Sequence, residues 1–304
     1  MTITLSRLLL ASTLLAATVS LAHAQPPAAP AAPPAPAPLV IKQVKPELFM
    51  VTGQGGNTTV RVTPNGLIVV DTKNAGQPIY DDLVAKIKAV STQPIVWVVD
   101  THHHADHTGN NGRFLAAGAK VIANKNLATE LDKFTPPPNN PAAVAPAKPS
   151  QTYDASYTIN QGGKRVELKH YFPGHTDGDT IVWFPDLKVV ATGDEFVVRA
   201  TGANIDYAGG ASVAGWIKSL DEVLKLDWDT AIAGHGDDPY TRADVVTFQG
   251  KLKTLLARAK EAVAGGATRQ TLMTKVKTDD LWGWPATYWD AARTAGLYAE
   301  AGGK

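Results

Sequence analysis

His102, His103, His104, Asp106 and His107 place four imidazoles and a carboxylate within six residues, and Thr108-Gly109-Asn110 follows. Imidazole nitrogen and carboxylate oxygen are the donors that borderline divalent cations accept, and the chain has no cysteine to offer a thiolate instead. The cluster therefore points to a metal held by nitrogen and oxygen. Structural zinc sites are usually closed by four protein ligands, often cysteines, whereas catalytic sites keep a position for water, so an all-His/Asp set leans toward catalysis. The spacing is not that of H-E-x-x-H, where two His on one helix face bracket a Glu. If the segment is extended, His103 projects away from His102 and His104 and falls outside the ligand set. A tag would sit at a terminus and would lack the interleaved Asp106.

Residues 95–99, Ile-Val-Trp-Val-Val, follow Gln93-Pro94 and read as a strand buried on both faces. The His run leaves the carboxyl end of that strand, the edge at which open α/β sheets bind ligands. Upstream, Leu48–Thr52, Thr58–Thr63 and 67–70 read as a meander with Pro64-Asn65-Gly66 as a turn, and 81–90 as a helix with Leu83, Val84, Ile87 and Val90 on one face. Downstream, a helix around Phe114-Leu115, a strand at 120–123 and a helix carrying Leu127 and Leu131 continue the alternation that defines the α/β class. The Pro-rich stretch 136–149 is a long loop, either a cover over the substrate side or a surface excursion. Strands are expected at 153–159, 165–172, 180–184 and 188–191, then a helix capped by Ser212, then a strand at 230–233. Helical patterns fill most of the chain from Thr241 onward, and Trp282, Trp284, Tyr288 and Trp289 are expected to dock a terminal helix rather than cage a substrate.

The 304 residues suit one domain with appendages. Residues 1–24 carry Arg7, an apolar run and Ala22-His23-Ala24, the pattern of a cleaved secretory leader, so a periplasmic or secreted protein is expected. Residues 25–38 are almost wholly Pro and Ala, a semi-rigid tether of extended chain, and the folded domain is expected over 39–304. No later segment approaches the roughly 18 uninterrupted apolar residues of a membrane span. Basic and acidic residues balance at 29 against 28, which gives no reason to propose nucleic acid or an anionic membrane as partner. A small-molecule substrate is the partner expected.

Three more polar, Gly-flanked segments stand at strand ends: Gly174-His175-Thr176, Thr192-Gly193-Asp194 and Gly234-His235-Gly236. The ordered series H-x-H-x-D-H, G-H-T, T-G-D, G-H-G resembles the metallo-β-lactamase-fold hydrolases over residues 39–235. The resemblance implies an αββα sandwich, two mixed β-sheets face to face with helices outside, and a site for two zinc ions along one sheet edge. It implies further that His102, His104 and His175 hold one ion, that Asp106, His107 and His235 hold the other, and that Asp194 bridges them. A hydroxide between two such cations is the nucleophile this implies, with Asp106 as the catalytic residue that orients it. His170 lies outside the pattern, on the face of Val166 and Leu168, and reads as a core or rim histidine.

In the better-known β-lactamases of this fold the position of Asp194 is usually Cys or Ser. The intact Thr-Gly-Asp resembles instead the thioesterases, lactonases and phosphodiesterases of the superfamily, while the leader favours a β-lactamase-like role. The reading is a binuclear zinc hydrolase acting on an ester, lactone, thioester or β-lactam. Three alternatives stand beside it: a class B β-lactamase specifically, a mononuclear iron dioxygenase with a thiol substrate, and a non-catalytic periplasmic accessory protein. Lys73, Lys125 and Arg199 are candidates for holding a substrate carboxylate by loop placement alone, each otherwise a solvated charge.

Overall fold

The computed structural model describes residues 37–136, 143–285 and 287–304. The expected leader, most of the tether and residues 137–142 of the Pro-rich loop lie outside these. A seven-stranded mixed sheet runs in chain order through β1 (Val40–Lys45), β2 (Leu48–Thr52), β3 (Thr58–Thr63), β4 (Gly66–Val70), β5 (Ile95–Val99), β6 (Lys120–Asn124) and β7 (Gln151–Tyr153). The pairs up to β4 are antiparallel and those from β4 to β7 parallel. The second sheet holds β8 (Ser156–Gln161), β9 (Lys164–Lys169), β10 (Ile181–Phe184), β11 (Val189–Ala191), β12 (Thr230–Ile232) and β13 (Tyr240–Thr241), with β11 and β12 its parallel pair. Helices α1 (Gln77–Val90), α2 (Ala105–Thr108), α3 (Asn111–Ala116) and α4 (Lys125–Asp132) connect the first sheet, and α5 (Val213–Val223), α6 (Arg242–Ala264), α7 (Leu272–Lys275) and α8 (Ala291–Glu300) belong to the second half. The architecture is the αββα sandwich.

Period-two alternation builds it, since successive strand side chains face opposite ways. Ile68 and Val70 turn inward to meet Val182, Phe184, Val189 and Ala191 of the facing sheet. Leu67 and Val69 turn outward under Leu83 and Ile87 of α1 and Phe114. On the far side Val190 and Ala231 lie under Trp216 and Leu220 of α5 and Phe248 of α6. Burying each such side chain contributes roughly 1.5–3 kcal/mol. The helix starts are chemically marked: the Ser212 hydroxyl accepts from Gly215 N at 2.9 Å, and Thr241 and Asp244 form a reciprocal capping box.

Several expectations need correction. A strand at Val40–Lys45 precedes the expected meander. The single strand expected over 153–159 is two, because the chain leaves the first sheet at Tyr153 and enters the second at Ser156. The strand expected to reach Phe172 ends at Lys169, and Phe172 is exposed. The first three residues of β5 are only partly buried, as Trp97 reaches the rim under the Lys120 ammonium at 5.2 Å. Between Lys275 and Ala291 the described chain is not helical. No helix among the described residues is long and apolar enough to cross a membrane.

Candidate metal centre

The carboxyl ends of β4, β5, β9, β11 and β12 share one edge of the sandwich, and every expected ligand lies on the segments that leave them. Hydrogen bonds hold the halves together there. Thr180 N donates to Thr101 O at 2.7 Å, and Asn57 N to Gly234 O at 2.7 Å. The Asn57 amide adds bonds to Ala233 O at 3.0 Å and Gly236 O at 2.8 Å, fastening the β2–β3 loop to the end of β12. The backbone passes so close to His107 that a Cβ on Gly56 would lie 2.1 Å from the imidazole. Only glycine fits there.

The structure brings all seven expected residues together. His102 Nε2 and His175 Nε2 each lie 3.1 Å from His104 Nδ1. In a neutral ring, the form in which a histidine ligates, each of these three nitrogens carries the lone pair, because the ring's other nitrogen is the donor. His104 Nε2 faces Asp206 Oδ2 at 2.9 Å, and His175 Nδ1 faces the Asn204 carbonyl at 2.6 Å. His102 Nδ1 faces Thr101 Oγ1 at 3.0 Å, and that hydroxyl spends its proton on Asp71 Oδ2 at 2.8 Å. Carbonyls and carboxylates only accept, so three bare lone pairs converge on one point. Such convergence is repulsive without a cation between the lone pairs.

A second trio stands beside the first. His107 Nε2 and His235 Nε2 are 3.4 Å apart, and Asp106 Oδ2 lies 3.3 Å from His235 Nε2. Asp194 faces both groups. Its Oδ1 is 3.3 Å from His107 Nε2 and 3.4 Å from His235 Nε2, while Oδ2 is 3.7 Å from His175 Nε2. Asp194 Oδ1 is buried with no hydrogen-bond partner. A buried, unpartnered carboxylate oxygen is costly in a dry site, and a cation satisfies it. The donor set thus fits two divalent ions.

The charges agree with this. Burial drives His102 well below the ordinary histidine value, helped by neighbouring His107, His175 and His104, and pushes His175 down to about 3, so both enter as neutral ligands. Burial alone would raise Asp194, but His107, His235 and His175 hold it well below the usual carboxylate range. Asp106 is likewise kept low by His107 and His235 against the effect of burial.

His103 does not project away from His104 as an extended segment would have it: its ring packs edge-on against His104 at 4.7 Å between centroids, and its Nε2 lies 3.4 Å from the same Asp206 Oδ2 that faces His104, so it joins neither trio but sits directly beside one. His170 is half-buried, its Nδ1 bonded to Asp179 O at 2.8 Å. Lys73 is neither a clamp nor a solvated charge. It is fully buried and donates to Val51 O at 2.6 Å and Gly56 O at 2.7 Å, pinning the glycine loop over His107. Burial pushes its pKa down to about 7, against the pull of Asp71 and Asp106. Lys125 pairs with exposed Asp154 at 2.7 Å, a solvated charge. Arg199 alone of the three reaches the centre, with Nη2 3.7 Å from Asp194 Oδ2. Residues 143–149 are coil, with Ala147 O accepting from Asn111 Nδ2 at 3.3 Å.

The sequence reading missed the acceptors behind the histidines: Asp71, Asn204 and Asp206. Asp71 carried a signal, being the first polar residue after an apolar strand. Asn204 acts through its backbone carbonyl, which no side chain advertises. Two cavities flank the centre, one of about 330 Å³ beside His103, Leu131, Phe134 and Asp206, the other of about 210 Å³ beside Arg199, Phe248, Lys251 and Trp282.

The family model described as metallo-beta-lactamase superfamily matches residues 51–235, which takes in all seven residues. This chain belongs to the metallo-beta-lactamase superfamily. It is a superfamily hydrolase with a His/Asp metal-binding cluster. The metallo-beta-lactamase type 2 of Elizabethkingia meningoseptica is 26% identical over 193 residues, 62% of this chain and 72% of that protein. The type 2 enzyme of Bacillus cereus is 25% identical over 195 residues, 63% of this chain and 72% of its own length. Among solved structures, a metallo-beta-lactamase from Pontibacter korlensis superposes with TM-score 0.61 at 18% identity, covering 71% of this chain and 99% of that one. The sec-alkylsulfatase Pisa1 from Pseudomonas sp. gives TM-score 0.64 at 18% identity, covering 86% of this chain and 50% of its own. Both structural likenesses show the superfamily fold.

Proposed function

We propose that the protein is an exported hydrolase with two zinc ions that cleaves a small carbonyl substrate, an ester, lactone, thioester or β-lactam. The observation that carries this is Asp194, whose two carboxylate oxygens face different trios, one of them buried without a partner. His102, His104 and His175 would hold one ion, Asp106, His107 and His235 the other, and Asp194 both. Two such cations, when bound, supply an activated water and polarise the carbonyl oxygen under attack.

The chain's own groups do the rest. Asp106 stays ionised and one-third exposed, so it can orient the attacking water by accepting its hydrogen bond. Arg199 offers a guanidinium beside Asp194 for an anionic part of the substrate, and Leu131 and Phe134 supply the apolar part of the cavity beside His103 and Asp206. Export rests on the leader pattern in residues 1–24.

The test is metal quantification on the mature protein, coupled to hydrolysis of an ester, lactone, thioester and β-lactam panel. Two equivalents of zinc with turnover of one carbonyl class supports the reading. One equivalent of iron with oxygen consumption on a thiol would replace it with the dioxygenase, and two zinc ions without turnover would favour an accessory protein. A β-lactamase in the narrow sense is the second reading, favoured by the 26% identity to a type 2 enzyme. A chromogenic cephalosporin separates it from the others.

A further inference from the structure

The acceptors that aim His104 and His175 sit on one short segment, residues 203–209, and that segment is held from the far end of the chain. Asn204 O takes His175 Nδ1 at 2.6 Å and Asp206 Oδ2 takes His104 Nε2 at 2.9 Å. Asp206 is fixed in turn by Gly209 N, which donates to its Oδ1 at 3.1 Å. There is no room for adjustment, because a Cβ on Gly209 would lie 2.5 Å from both Asp206 Oδ2 and His103 Cε1.

Four side chains from beyond residue 280 grip this segment. Trp284 Nε1 donates to Ala203 O at 2.7 Å, and Ile205 N donates to the Tyr288 hydroxyl at 2.7 Å. Arg293 Nη2 reaches Asn204 Oδ1 at 3.2 Å. Glu300, on the last turn of α8, accepts from Tyr207 OH at 2.7 Å and from Val213 N at 2.9 Å, tying the segment to the start of α5. Trp284 and Tyr288 stack at 4.7 Å with their planes 7° apart, so the grip is rigid. Asp71, which faces His107 directly and His102 through Thr101, and Asn57, which fastens the end of β12 before His235, both lie within residues 51–235.

We infer that the C-terminal segment 284–300 is a working part of the metal centre: it positions Asn204 and Asp206, which set the ring orientation of His175 and His104 and so the affinity of that ion alone. The aromatic cluster therefore docks against the site's own scaffold, outside the stretch that the family model matches. Partners of this kind behind a ligating histidine are typically worth 10–100-fold in metal affinity. The inference rests on the two-ion reading.

The test is titration of metal-free full-length protein with zinc against a competing chelator, with cobalt as spectroscopic probe. Asp206→Ala should weaken one equivalent by about 10–100-fold and leave the other within about twofold. Asp206→Asn, which keeps an acceptor oxygen, should restore most of the loss. Glu300→Ala, remote from every ligand, should weaken the same equivalent in the same direction; if it fails to fold, Tyr288→Phe carries the test by deleting one hydroxyl. Wild-type affinities in Asp206→Ala, or equal weakening of both equivalents in a variant whose metal-free unfolding is unchanged, overturns the inference. A wild type that takes up fewer than two equivalents overturns the two-ion reading instead, and the comparison of wild type with Asp206→Ala still decides this one.

Discussion

Asp71 Oδ2 lies 2.7 Å from His107 Nδ1 and 2.8 Å from Thr101 Oγ1, and the threonine oxygen in turn receives His102 Nδ1 at 3.0 Å. One buried carboxylate thus orients a ligand in each trio, one directly and one through a hydroxyl. Its other oxygen accepts from Thr101 N at 2.8 Å, and Asp71 holds the left-handed φ of 63° that aims it there. A left-handed non-glycine costs on the order of 1–3 kcal/mol and persists where surrounding bonds dictate it.

Asp71→Ala should therefore weaken both metal equivalents, by about 10–100-fold each, where Asp206→Ala weakens one. It should also lower the stability of the metal-free protein by about 1–3 kcal/mol for each buried donor left unpaired. Chelator competition and urea unfolding measure the two effects. Loss confined to one equivalent would show that the Thr101 hydroxyl does not carry the orientation to His102.

His104→Ala and His103→Ala form the sharpest pair of neighbours. His104 Nδ1 is one of three converging lone pairs, so its removal should abolish hydrolysis and lower metal content. His103 gives no nitrogen to either trio, meeting the centre through the edge of the His104 ring and through Asp206 at 3.4 Å, and its replacement should keep most of both. Equal metal loss in the two purified variants sinks the assignment.

The fold was legible where patterns are periodic. The run 67–70 is apolar throughout because both of its faces are buried, and the helical spacing in 213–224 follows from burial on one face. The step from Tyr153 to Ser156 between sheets was not legible, because alternating residues look the same whichever sheet they join. The ligands were legible because few side chains bind metal and these occur in an ordered series. The acceptors behind them were not: Asn204 contributes a backbone carbonyl, Asp206 is 102 residues from His104, and Lys73 hides as one lysine among ordinary ones.

Lys73→Met tests the buried amine. Two carbonyls, Val51 O and Gly56 O, lose their donor, at about 1–3 kcal/mol each. The pH dependence gives a second signature. The unfolded chain keeps this proton to about pH 10.4, while the folded one releases it near 7. The unfolded state binds more protons in that window, so this lysine makes stability rise with pH between about 7 and 10.4. The variant should lose that rise in denaturation midpoints measured on metal-free protein; an unchanged slope would mean the amine stays charged in the fold.

Metal uptake should itself be a proton reaction. In the metal-free protein burial pushes His107 down, but Asp71, Asp194 and Asp106 outweigh it and hold the ring well above the ordinary histidine value. Ligation needs the Nε2 lone pair, so the proton that these carboxylates favour on the ring has to leave as the trio of Asp106, His107 and His235 is loaded, and uptake there should release protons. His102 and His175 are already neutral and release none. His175 adds a separate term in the apo protein: titrating near 3 folded and near 6.5 unfolded, it contributes stability present above about pH 6.5 and lost as pH falls toward 3. On acidification the trio containing His107 should therefore empty first. Dialysis at stepwise lower pH, with zinc counted per protein, and calorimetry in buffers of different ionisation enthalpy check both statements. Simultaneous loss of the two ions, or uptake at pH 7 without proton release, would show that Asp71 does not keep His107 charged.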